Sequence, residues 1–134
     1  MKKFYILFAL AALLSATAAG TVSAQKRSSG TVKEISAKNF NAETKKGVVV
    51  VDFWATWCGP CRMMSPIFTE VAKQFSSRAK FAKIDVDKAR EIAGVYNITA
   101  IPCIIIFVNG KEQDRLVGYK EKQELIDAVS NYTR

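Results

Sequence analysis

The sequence has no histidine, only three cysteines, and no apolar run long enough to cross a bilayer. Without imidazole there is no Ser-His or Cys-His catalytic pair, no histidine-bearing zinc or haem site and no histidine pH switch. Chemistry near neutral pH then rests on cysteine, carboxylate, lysine, tyrosine or the backbone. The longest unbroken apolar stretch, Phe4 to Leu14, has 11 residues, whereas a transmembrane helix needs roughly 20. No basic run of five or more occurs. Lysines and arginines alternate with acids, as in Lys33-Glu34 and Lys120-Glu121-Lys122, so the formal charge of +8 describes a mildly basic surface and points away from nucleic acid as a partner. What is present is ordinary: 49% hydrophobic residues in 134 suit one domain with a real core.

The first 24 residues carry two lysines, the apolar stretch and then small residues ending Val22-Ser23-Ala24, the three-part layout of a secretory signal peptide. Cleavage after Ala24 is expected, and an uncleaved membrane anchor is the alternative. Either places the protein in an exported, periplasmic location. Cleavage also removes Lys2 and Lys3, leaving 18 − 12 = +6. Residues 25–30, QKRSSG, read as a short flexible lead, and 31–134 as the folded domain.

Within that domain strands and helices alternate. Thr31 to Ile35 reads as a strand, and Ser36 as the cap of a short helix carrying Phe40. Val48 to Trp54, VVVVDFW, is the pattern of a central strand buried on both faces. From Cys61, Met64, Ile67, Phe68, Val71 and Phe75 fall at helical spacing, interrupted by Pro66, which is expected to kink the helix. Phe81 to Val86 is a further strand, with Asp87 placed to cap the next short helix. Ile104 to Val108 is another apolar strand. Asn109-Gly110 signals a hairpin into Gln113 to Val117, and a last helix starts near Lys120. This order implies an α/β domain: a central mixed β-sheet, parallel in part, with helices on both faces.

Cys58-Gly59-Pro60-Cys61 falls where the central strand gives way to its helix. Two intervening residues let the sulfurs meet, and the helix start offers unpaired N–H groups and a positive dipole end to a thiolate. Cys58 is expected to be an exposed nucleophile, and Cys61, one turn on, the buried resolving thiol. Pro60 suits the first turn, where its missing N–H costs little. Zinc uses the same spacing but needs a second ligand pair, and only Cys103 and acids remain, so no metal site is expected. A purely structural disulfide over so short a loop is a poor staple. Redox exchange is the reading these residues favour, with the dithiol itself as the only cofactor. Asp52 interrupts the most apolar strand. Burial there pushes its pKa up and lets it pass a proton to and from Cys61, with Lys83 of the neighbouring strand as counter-charge.

Val51 to Cys61, reading VDFWATWCGPC, together with Pro66, Phe81 to Asp85, Ile101-Pro102, and Phe107 to Gly110 through Val117-Gly118, resembles the thioredoxin family over nearly the whole mature chain. The resemblance implies the thioredoxin fold and thiol-disulfide exchange, Cys58 attacking a substrate disulfide and Cys61 resolving the mixed disulfide. It also implies a cis-proline loop at Ile101-Pro102 beside the dithiol. Trp57, Gly59, Pro60, Ile101, Pro102, Val117 and Gly118 would then form the docking surface for protein substrates, with Trp54 beneath. Asp52 and Lys83 match the family's buried proton-handling pair.

Gly-Pro between the cysteines, with no histidine, goes in this family with a reductant. An exported location separates the protein from the cytosolic flavoprotein donor, so the resemblance implies a membrane-embedded thiol electron donor, and a monomer. The rival readings are a non-catalytic binding or scaffold subunit and a three-cysteine metal module. Cys103, where the family often has threonine, is expected to be a small buried core residue.

Overall fold

The structure, a computed structural model, describes Gly20 and residues 30–134. Apart from Gly20 and Gly30, the expected signal peptide and lead lie outside the described residues. The elements in order are β1 (Val32–Glu34), α1 (Phe40–Thr44), β2 (Val48–Trp54), α2 (Gly59–Gln74), β3 (Lys80–Asp85), α3 (Arg90–Val95), β4 (Cys103–Val108), β5 (Lys111–Val117) and α4 (Lys122–Ser130).

Five strands form one sheet in the order β1-β3-β2-β4-β5. β2 is central, as its continuous apolar pattern requires. It runs parallel to β3 and antiparallel to β4, so the sheet is mixed. Side chains alternate across it and make two cores. On one face Val50, Phe81, Ile104 and Ile106 pack against Met64, Phe68 and Val71 of α2 and Leu125 and Val129 of α4. On the other, Val49, Val51, Phe53, Ile105 and Phe107 meet Phe40 of α1, Ile92 of α3 and Tyr96, which caps the end of α3. There Phe107 stands edge-on to Phe40 and Tyr96, with centroids 5.6 and 5.3 Å away.

Two local expectations are corrected. Ser36 does not cap α1: its N–H donates to Asn39 Oδ1 at 2.7 Å, closing a turn that delays the helix to Phe40. Asp87 does not cap α3. The preceding Asp85 holds the turn instead, its Oδ1 accepting from Asp87 N–H at 2.9 Å, and Ala89 occupies the cap. The helix after β2 begins at Gly59, so that Pro60 falls in its first turn as expected, and Pro66 lies inside it. At the hairpin, Asn109 and Gly110 take φ of 51° and 84°, and a register shift between Ile106 and Phe107 bends the β4–β5 pair. No helix among the described residues is long and apolar enough to cross a membrane.

Candidate active site

The C-terminal end of β2 delivers Cys58 as the N-cap of α2, with extended backbone at φ −88° and ψ 109°. Pro60 sits in the first turn, where a residue without an N–H is tolerated. Cys58 and Cys61 are joined by a disulfide with Cα atoms 5.3 Å apart, and Cys61 N–H donates to Cys58 Sγ at 3.2 Å. A thiolate released at Cys58 would therefore already hold one of the unpaired helix-start donors, with the positive end of the helix dipole behind it.

Cys58 departs from the exposed nucleophile expected from sequence. It is 4% exposed, little different from Cys61 at 3%. In the disulfide form it packs in a cluster with Ala55, Cys61, Trp54, Val86 and Ile101. Its Sγ lies 3.9 Å from the Ile101 carbonyl oxygen. The Ile101-Pro102 bond is cis, as the resemblance implied.

Gly118 N–H donates to Pro102 O at 2.8 Å, and Cys103 pairs with Val117 across β4 and β5. These two contacts fasten the end of β5 to the cis-proline loop, with Val117 48% exposed beside it. Gly118 has φ 83°, which favours glycine there. Trp57 is 65% exposed, yet its Nε1 donates to Asp87 Oδ2 at 2.8 Å. Sequence reasoning assigned Asp87 to a helix cap and missed this role. The available signal was strand register: Trp54 pairs with Asp85, so the loops that follow β2 and β3 emerge side by side.

Asp52 faces the α2 side of the sheet, between Val50 and Trp54. It is buried, and its Oδ1 has no hydrogen-bond partner among the described residues. Loss of solvent pushes its pKa up to about 7, with the nearby Lys83 charge pulling the other way. Lys83 is half-buried opposite Asp52, its Nζ 5.0 Å from the centre of the Trp54 ring. A carboxyl poised near neutrality can exchange a proton in either direction. Cys103 is buried on the α1/α3 side of the sheet, among the core residues around Phe53, and burial pushes its thiol pKa up. No group of three or more cysteine and acidic side chains among the described residues is placed to hold a metal.

The sequence model of the family described as Thioredoxin matches residues 31–131. A thioredoxin of Listeria monocytogenes is 40% identical over 101 residues, covering 75% of this chain and 98% of that protein. One of Bacillus subtilis is 40% identical over 95 residues, covering 71% and 91%. Among solved structures, a mutant thioredoxin from Halobacterium salinarum superposes with a TM-score of 0.75 at 31% identity, covering 80% of this chain and 95% of that one. A thioredoxin of Malassezia sympodialis does so at 0.74 and 37%, covering 78% and 93%. With the Cys58–Cys61 disulfide at the start of α2 and these matches over the whole described domain, the chain belongs to the thioredoxin family and is a protein-disulfide oxidoreductase.

Proposed function

We propose that this protein reduces protein disulfides outside the cytosol. The carrying observation is the Cys58–Cys61 pair capping α2 against the Ile101 carbonyl, with the buried Asp52 carboxyl on the α2 side of the adjoining strand. In the reduced protein the Cys58 thiolate attacks one sulfur of a substrate disulfide, forming a mixed disulfide and releasing the other sulfur as a thiolate. Asp52, directly or through water, takes the Cys61 proton. The Cys61 thiolate then attacks Cys58 Sγ, the substrate leaves as a dithiol, and two electrons have passed from protein to substrate. Lys83 tunes the carboxyl. Trp57, Gly59, Pro60, Ile101, Pro102, Val117 and Gly118 form the rim on which the substrate docks. The redox-active disulfide is the only cofactor this chemistry needs.

The reducing direction is supported by Gly59-Pro60 and the absence of histidine. Export is supported by the layout of residues 1–24, with cleavage after Ala24, a lead at 25–30 and the domain at 31–134. In that compartment a membrane-embedded thiol donor supplies the electrons to a monomer. The test is reduction of insulin disulfides with dithiothreitol as donor, beside the mass of the protein recovered from the exported fraction. Turnover that disappears in Cys58→Ser, and a chain beginning at Gln25, are expected. Activity retained in Cys58→Ser overturns the catalytic assignment, and confinement of the protein to the cytosol overturns the location.

A further inference from the structure

The sequence scatters its lysines and arginines, but the fold gathers six of them at the end of the molecule opposite the disulfide. Lys45 and Lys46 precede β2, Lys80 opens β3 and Lys111 opens β5. Lys73 lies in the last turn of α2, and Arg78 in the turn beyond it. All six are exposed. Strand pairing sets them on one rim: Val49 stands opposite Lys80, and Val108 opposite both Val48 and Lys111. A Cβ built on Gly110 would come 3.6 Å from Lys45 Cα, so the hairpin and the α1–β2 turn touch. Glu43 and Glu112, the acids next to this rim in the chain, are engaged by Lys33 and Arg115. None of the six cations forms an ion pair among the described residues.

The chain enters the domain at this same end. Gly30, with φ +59°, passes so close to α2 that a Cβ there would lie 3.2 Å from Lys73 Cα. The 29 residues before it contain Lys2, Lys3, Lys26 and Arg27, no acid, and the apolar stretch Phe4 to Leu14.

We propose that this basic rim is a docking surface for an anionic phospholipid bilayer, oriented so that the dithiol faces away from the lipid. Cations spread over a rim suit a broad charged plane, and among the described residues no large exposed hydrophobic side chain stands with them to stack on nucleic-acid bases. The 16 residues of α2 span about 24 Å, so the dithiol stands off the bilayer by that distance and stays open to soluble disulfide proteins. A thiol donor must then present its cysteines on a part that rises from the membrane. Docking does not depend on cleavage, because all six rim cations lie in the domain that follows the expected cleavage point after Ala24.

The test sediments the full chain with phosphatidylcholine vesicles, with or without phosphatidylglycerol, beside the variants K45E/K46E/K111E and K73E/K80E. About tenfold or greater preference for the anionic vesicles is expected, abolished by high salt and reduced in each variant, while both variants still reduce insulin. Equal binding to the two compositions, or variants that bind as the parent does, overturns the proposal. So does equal or tighter binding to a single-stranded RNA. Protection of reduced Cys58 from a water-soluble maleimide when anionic vesicles are added overturns the orientation.

Discussion

Asp52 and Lys83 stand opposite each other in parallel register, yet the lysine reaches over the Trp54 ring and Asp52 Oδ1 is left without a partner. The fold thus keeps a carboxyl buried with its Oδ1 unpaired among the described residues, so that one hydrogen bond that would favour the ionised form is not made. Lys83 acts on it through space and only in part offsets the cost of lost solvent.

That arrangement predicts a pH-dependent stability. A carboxyl raised to about 7 in the folded chain, from about 3.8, binds its proton more tightly when folded. Its stabilising contribution is complete below about pH 4 and is lost as pH rises through 7. Asp52→Asn removes this dependence, and at pH 9 is expected to be more stable than the parent by up to roughly 4 kcal/mol. Urea unfolding of both proteins at pH 5 and pH 9 measures it. An unchanged difference between the two pH values would sink the idea.

The Trp57–Asp87 hydrogen bond, at 2.8 Å and close to solvent, is expected to orient the indole more than to stabilise the fold. Asp87→Ala should raise KM for a protein disulfide a few-fold, as loss of about 1 kcal/mol of positioning implies, and leave the unfolding midpoint nearly unchanged. It should also lower the fluorescence anisotropy of Trp57, read in a Trp54→Phe background. A large drop in stability with KM unaltered would assign the bond to the fold instead.

Cys103, 1% exposed with its thiol pKa raised, should be chemically silent in the native protein. After reduction, two thiols are expected to react rapidly with a water-soluble disulfide reagent, and the third only in denaturant. Rapid reaction of all three in native buffer would show that β4 opens locally.

Much of this was legible in the residues. The VVVVDFW run placed β2 at the centre, and CGPC at its end placed the dithiol at a helix start, because both signals are local and periodic. Three features were not. The engagement of Asp87 with Trp57 depends on β2 and β3 lying in parallel register, which no short window contains. The burial of Cys58 depends on packing with Val86 and Ile101, which lie far from it in sequence. The basic rim was invisible because Lys46, Lys80 and Lys111 lie more than thirty residues apart in sequence and meet only when the strand ends are stacked.

The sheet's two borders set a limit on how this protein can hold a polypeptide. β1 has three residues, too few to template a long partner, and β5 alternates Lys111, Glu112, Asp114 and Arg115 along the other side. Short borders and charged borders both discourage an incoming chain from extending the sheet. Neither flank therefore offers a client in an extended conformation a long, uncharged edge to pair with. For a second copy of the chain, too, the same two borders are poor templates for edge-to-edge pairing.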